Sequence, residues 1–134
     1  MRGILVDTSV WIDFFSGIKS KEEAALNMLI ENEDPLFLCP TIIQEVLQGF
    51  RSDEDFKLAQ ESLLAYPIAT PDSVQISINA ADLNRRLRQK GVTIRKSNDT
   101  RIAAVAIEES LQMLFRDPDF ALIADHCELE ILRV

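Results

Sequence analysis

The hydrophobic positions of the chain form short apolar runs that alternate with longer amphipathic segments. The first run, residues 3–6, is too short for a helix and rich in branched residues, which is typical of a strand buried on both faces. Apolar residues then recur at helical spacing over 10–15, and Thr8 or Ser9 can cap the start of that helix. A strand that leads directly into a helix predicts the beginning of a β-α-β unit.

The same alternation continues along the rest of the chain. Further strands are predicted at 34–40, within 66–71, at 111–115 and at 128–134. Helices are predicted at 21–33, 41–50, 53–64, 72–90, 97–110 and 117–126. Thr41 and Gln44 have the spacing of a capping box at the start of one of these helices. Strands that alternate with helices predict an α/β fold, in which a mostly parallel central sheet carries helices on both faces.

Composition narrows the class of protein. With 134 residues, 47% of them hydrophobic and 27% charged, the chain is expected to form a single domain over 1–134 of an ordinary globular protein. No apolar run approaches the roughly 20 residues that span a bilayer, so no membrane association is expected. The first residues do not resemble a signal peptide. The two cysteines lack metal-ligand spacing, and free thiols in a reducing cytoplasm are the simplest interpretation.

The charge is unevenly distributed. The whole chain carries a net charge of −8, which argues against a protein that simply coats nucleic acid. The window from Asp82 to Arg101 nevertheless contains seven basic residues and only two acidic ones. Its basic members, here called the basic stripe, are Arg85, Arg86, Arg88, Lys90, Arg95, Lys96 and Arg101. The stripe is either a solvated helix face or a surface that binds RNA or an acidic segment of a protein.

Four carboxylates lie next to apolar elements rather than in polar loops. Asp7 and Asp117 follow predicted strands, Asp99 lies in the first turn of a predicted helix, and Glu45 lies in the first half of another. Helices that leave the carboxyl ends of parallel strands begin at the same edge of the sheet. The fold therefore predicts that these four side chains share one edge.

The repulsion within a cluster of four carboxylates must be offset. Carboxylates crowded together in a low dielectric repel one another by several kcal/mol per close pair. They persist if they are protonated, paired with Lys or Arg, or bound to cations. Oxygen ligands without His or Cys suit Mg²⁺ or Mn²⁺, and such ions can activate water for attack on a phosphate.

Four segments around these carboxylates resemble the acidic motifs of the PIN-domain ribonucleases. They read "ILVDTSVWIDFF", "TIIQEVLQG", "SNDTRIAAVA" and "LFRDPDFALIA", in the order of that family, and the resemblance spans residues 3–132. The size of the chain is similar to that of the VapC-like toxins of toxin–antitoxin pairs. The segment "EESLQML" departs from the family pattern, which often has a glycine shortly before the fourth strand, but it contains none of the four carboxylates.

This resemblance implies a PIN-like three-layer sandwich, Mg²⁺- or Mn²⁺-dependent cleavage of RNA, a homodimer and inhibition by a cognate antitoxin. Carried over by position, Asp7 and Asp99 are the direct metal ligands, and Glu45 and Asp117 complete the acidic quartet, where they orient metal-bound water or hold a second ion. Thr8 or Ser9 would donate hydrogen bonds to Asp7. Asp119 is an alternative for the role of Asp117. Within the basic stripe, the candidates for RNA binding are Arg85, Arg86, Arg95, Lys96 and Arg101.

Two other interpretations compete with this one. A receiver domain also has an acidic Mg²⁺ pocket in a small α/β fold, but the end of this chain, "LEILRV", supplies no lysine where that fold requires one. A PIN-like domain that has lost catalysis and only binds RNA or protein is the stronger alternative. All four acidic positions are filled, which favours the enzyme.

Overall fold

The computed structural model describes residues 2–134, and it contains a four-stranded sheet with helices between the strands. The strands are β1 (Ile4–Val6), β2 (Leu36–Phe37), β3 (Gln112–Leu114) and β4 (Glu130–Ile131). The helices are α1 (Thr8–Ser16), α2 (Lys21–Glu31), α3 (Pro40–Leu47), α4 (Asp53–Leu63), α5 (Ser73–Gln89), α6 (Ser97–Glu108) and α7 (Asp119–Ala124). No helix in this part of the chain combines the length and apolar content needed to cross a bilayer.

The strand order is β2-β1-β3-β4, and all three pairings are parallel. In β1, Leu5 pairs with Phe37 on one side and with Met113 on the other. Parallel neighbours point their carboxyl ends in the same direction, so the residues that follow β1 and β3 emerge at one edge of the sheet. The α/β architecture predicted from the alternating pattern is confirmed.

The hydrophobic core covers both faces of β1. Every residue of this strand is buried, as expected for a continuous apolar run in a parallel sheet. Trp11 of α1 is also fully buried, and its ring packs against Phe15 and Tyr66 with centroids 6.0 and 5.6 Å apart. Helix α1 is thereby held against the core directly after the strand that precedes it.

Two local details differ from the sequence predictions, namely the start of α3 and the extent of the strand within 66–71. The capping box at Thr41 and Gln44 is wrong, because α3 begins earlier, at Pro40, and its N-cap residue Cys39 makes no side-chain capping bond. Proline is tolerated in the first helical turn, where its missing N–H would have no partner within the helix. The strand predicted within 66–71 is reduced to a single parallel bridge between Leu38 and Ile68.

Substitution of Leu5 by Ala tests the central position of β1. We expect the free energy of unfolding to fall by about 2–5 kcal/mol, because the substitution leaves a cavity in a fully buried site. Leu58→Ala is the matched control, since Leu58 is 58% exposed and its truncation should change stability by no more than about 0.5 kcal/mol. Urea denaturation of both variants measures the difference, and equal decreases would contradict the assignment of β1 to the core.

Candidate metal centre

A cavity of about 330 Å³ lies where β1 and β3 end. All four carboxylates predicted to share an edge line it, namely Asp7, Glu45, Asp99 and Asp117. The structure therefore brings together residues that are up to 110 positions apart in the sequence. Their individual roles in catalysis remain predictions.

Asp7 both lines the cavity and caps the start of α1. It is the N-cap residue of the helix, and its Oδ2 accepts hydrogen bonds from the backbone N–H and the hydroxyl of Ser9, at 3.3 and 2.8 Å. Burial raises the pKa of this carboxyl, while the bonds from Ser9 act in the opposite direction. Ser9 is thus the neighbour whose side chain donates to Asp7, whereas the Thr8 hydroxyl donates elsewhere.

Glu45 is oriented by two neutral donors. The hydroxyl of Thr8 donates to Oε1 at 2.7 Å, and the side-chain amide of Asn98 donates to Oε2 at 3.3 Å. Glu45 lies in the second half of α3 rather than in the first half as predicted, because the helix begins at Pro40 and ends at Leu47. Its position at the cavity depends on these contacts with the starts of α1 and α6.

Three carboxylates come closest together. One oxygen each from Asp99, Asp117 and Asp119 lie within 4.8 Å of one another. Asp99 is 4% exposed, and its Oδ2 is buried without a hydrogen-bond partner in residues 2–134. Burial, together with the charges of Asp7 and Asp117, raises the pKa of Asp99 to about 7. A deprotonated Asp99 is therefore costly without a cation.

Two basic side chains compensate the other members of this group. Lys96 Nζ lies 3.2 Å from Asp117 Oδ2, while Arg95 lies 3.7 Å from Asp117 and 3.4 Å from Asp119. Partial burial acts to raise the pKa of Asp117, but the backbone N–H of Asp119 and the Lys96 ammonium outweigh it, and the pKa is lowered. The bond to Asp117 in turn raises the pKa of Lys96.

The donor set fits a hard divalent cation. It consists of carboxylate oxygens, and the unpaired Oδ2 of Asp99 is the type of buried atom that a bound ion would satisfy. One oxygen each of Asp99, Asp117 and Asp119 is close enough to the others to share such an ion, and Asp7 and Glu45 line the cavity together with Asp99 and Asp117.

The basic stripe is divided by the fold. Arg95 and Lys96 line the cavity. Arg85 and Arg86 instead pair with Asp82 on their own helix, at 3.3 and 3.2 Å. Arg101, also a candidate for RNA binding, donates to the Ser77 hydroxyl of α5 at 2.8 Å. The stripe is therefore not a single surface facing the acidic site.

Two residues that contact the lining of the acidic cavity were not identified from the sequence. Asn98, which orients Glu45, lies directly before Asp99, but nothing in the sequence indicates its partner 53 positions away. Asp13 is fully buried in α1 and forms an ion pair with Arg116 at 2.8 Å. An aspartate within the apolar pattern of "VWIDFF" was the available signal, because a carboxylate on a buried face requires a cationic or hydrogen-bonding partner.

Sequence comparison identifies relatives over most of the chain. The family model described as the PIN domain matches residues 4–126. Ribonuclease VapC11 of Mycobacterium tuberculosis is 31% identical over 122 residues, covering 90% of this chain and 91% of the relative. A VapC ribonuclease of Mycobacterium bovis matches with the same identity and coverage.

Comparison of structures identifies the same fold. The VapBC2 complex of Rickettsia felis bound to a promoter DNA fragment includes a chain that aligns with a TM-score of 0.73 at 15% identity, covering 97% of both chains. VapC20 of Mycobacterium tuberculosis, described as a toxin that cleaves the sarcin-ricin loop, aligns with a TM-score of 0.68 at 18% identity. That alignment covers 95% of this chain and 98% of VapC20.

The raised pKa of Asp99 predicts how stability depends on pH without metal. Because the folded protein holds this proton more tightly than the unfolded chain, whose aspartate titrates near 3.8, the free energy of unfolding should decrease as pH rises from about 4 to about 7. Asp99→Asn should remove the part of this decrease that Asp99 contributes, roughly a few kcal/mol. The buried Asp7, whose pKa is also raised, should contribute to the decrease in both proteins. Denaturation in the presence of a chelator at several pH values measures the free energy of unfolding. Asp125→Asn is the control, because Asp125 is exposed. Parallel curves for the wild type and Asp99→Asn would contradict the assignment.

Proposed function

The chain belongs to the PIN-domain family, and from that premise we propose that it is a metal-dependent endoribonuclease that acts as the toxin of a toxin–antitoxin pair. The observation that carries the proposal is the Asp99 carboxylate, which is buried beside Asp117 and Asp119 and has one oxygen without a partner in residues 2–134. A buried carboxylate oxygen with no hydrogen-bond donor among the described residues supports a site that binds a cation, as a metal-dependent nuclease requires. The names of the relatives support cleavage of RNA as the reaction.

The ion is proposed to be Mg²⁺ or Mn²⁺, both of which prefer oxygen ligands. When bound, it supplies neutralisation of the charge on the scissile phosphate and activation of a water molecule. Asp99 would hold it together with Asp117 and Asp119, which each place one oxygen within 4.8 Å of the others, or with Asp7, which lines the same cavity. Occupation of the site requires Asp99 to lose its proton, so affinity for the ion should rise as the pH approaches and passes about 7.

Glu45 is suited to accept a proton. Its two hydrogen bonds come from the neutral groups of Thr8 and Asn98, so its orientation is controlled while its charge is not cancelled. It forms no ion pair with a residue in the part of the chain that the structure describes. A carboxylate held in this way can take a proton from water at the cavity wall.

Arg95 and Lys96 are proposed to contact the RNA backbone. Their side chains are 68% and 58% exposed at the cavity, so each retains N–H donors that face solvent. The net charge of −8 repels RNA from other surfaces, which orients the approach toward these two cations.

The comparisons support one of the proposed partners, an antitoxin. The solved VapBC complexes contain the toxin with its antitoxin, which supports an antitoxin for this chain. A homodimer and a cytoplasmic location, both expected from the resemblance and the composition, complete the proposal.

RNA cleavage should require Mg²⁺ or Mn²⁺ and should stop in excess chelator. Asp99→Asn is expected to lower the rate by more than about 100-fold, which exceeds the decrease typical of residues that only support a metal ligand. Gel analysis of a labelled RNA measures the rate, with Asp125→Asn as a control that changes the same functional group on an exposed site. Wild-type protein that binds RNA but leaves it intact under all of these conditions would favour the non-catalytic alternative.

The salt dependence of RNA binding tests the role of Arg95 and Lys96. Replacing both with Gln should weaken binding and reduce the slope of log K against log salt by about 0.7 for each phosphate that the protein no longer neutralises. The measurement is made with Mg²⁺ in an Asp99→Asn background, so that the RNA remains intact. Replacing Arg85 and Arg86 with Gln removes the same charge from α5 and should leave the slope nearly unchanged. A slope that responds only to this second pair would contradict the proposal.

A further inference from the structure

The acidic residues that follow β3 depend on a residue next to them in the sequence. Arg116 directly precedes Asp117 and also lines the cavity, and its side chain reaches α1. There Nε donates to Asp13 Oδ2 at 2.8 Å and a terminal nitrogen donates to Oδ1 at 3.2 Å. A guanidinium bound to both oxygens of a carboxylate is restrained in orientation as well as in position.

The carboxylate in this pair is itself fully restrained. Asp13 is 0% exposed, and its Oδ2 also accepts a hydrogen bond from the Ser20 hydroxyl at 3.0 Å. That same hydroxyl caps α2 by accepting from the backbone N–H of Glu23. Arg116 is therefore anchored to a point shared by α1 and α2, rather than to a mobile surface residue.

The backbone of Arg116 is held as well. Its N–H donates to the Ser9 hydroxyl at 3.2 Å, and this hydroxyl donates to Asp7 Oδ2 at 2.8 Å. One residue thus connects the loop that carries Asp117 with the start of α1, where Asp7 lies. Both of its links end on helix α1.

We propose that Asp13 and Arg116 form a positioning clamp, which holds the loop 115–119 so that Asp117 and Asp119 lie in register with Asp99 for metal binding. The clamp acts through these carboxylates and is not itself a metal ligand. The inference rests on the proposed function, since it assigns Asp13 and Arg116 a role in building the same metal site.

The experiment compares Asp13→Asn, Arg116→Lys and the double variant Asp13→Asn, Arg116→Gln. The double variant contains no unpaired buried charge, so it remains informative if a single variant fails to fold. The matched control is Arg2→Gln, because Arg2 also joins distant segments through Glu130 and the Ser110 carbonyl but lies outside the cavity lining. Two quantities are measured, namely Mn²⁺ affinity by calorimetry and amide hydrogen exchange in the metal-free protein.

Asp13→Asn and the double variant should each weaken Mn²⁺ binding by about 10-fold or more, as is typical when the residues that support metal ligands are replaced. Exchange at the amides of Arg116 and Asp119 should accelerate in these variants, while exchange at the core amides of β1 stays at the wild-type rate. The Arg2→Gln control should match the wild type in both exchange and Mn²⁺ affinity. Arg116→Lys keeps the charge but cannot form the bidentate contact with Asp13. Its Mn²⁺ affinity and amide exchange rates should therefore lie between those of the wild type and the double variant.

Three results would overturn the clamp. One is wild-type exchange at the amides of Arg116 and Asp119 in the Asp13→Asn and double variants. This result would contradict the clamp even if the wild type did not bind Mn²⁺, because exchange is measured without metal. Another is accelerated exchange with wild-type Mn²⁺ affinity. The third is abolished RNA cleavage in the Arg116 variants while Asp13→Asn matches the wild type in cleavage, exchange and affinity, because Arg116 would then act directly on substrate. Failure of the wild type to bind Mn²⁺ or cut RNA would instead overturn the proposed function.

Discussion

Confinement of several carboxylates to one edge of a parallel sheet is the constraint on which the rest of this structure depends. β1 and β3 are neighbours that run in the same direction, so Asp7 and Asp117 emerge side by side, and α6 adds Asp99 to the same cavity. Like charges at this separation repel, and burial makes each ionised group more costly. The surrounding residues must therefore offset that cost without filling the cavity.

The compensation differs from one carboxylate to the next. Asp7 and Glu45 receive hydrogen bonds from hydroxyl, amide and backbone groups, whereas Asp117 is paired with Lys96. Asp99 receives neither type of support at its buried Oδ2 within the described chain. The unfavourable free energy of ionisation is thus largest where burial outweighs the support, at Asp99 and also at Asp7, whose pKa burial raises as well. This is expected where stability is traded for binding of a ligand.

Helix α1 contributes to the site along its whole length. Its first turn orients Asp7 and Glu45 through Ser9 and Thr8, and Asp13 near its end holds the Arg116 side chain. The helix can serve as a rigid support because Trp11 packs it into the core directly after β1. Packing in the core and geometry at the cavity are therefore properties of the same element.

The sequence by itself determined the α/β class and the four carboxylates at one edge, because short apolar runs, helical spacing and position after a strand are local features of the chain. Only the tertiary structure decided which side chains form hydrogen bonds and ion pairs with one another. Arg116 meets Asp13 across 103 positions, and Asn98 meets Glu45 across 53. The capping box at Thr41 failed for a local reason instead, since proline is suited to the first helical turn and α3 begins at Pro40. A side-chain hydrogen bond acts over about 3 Å, so its partner is known only when all the helices have been packed.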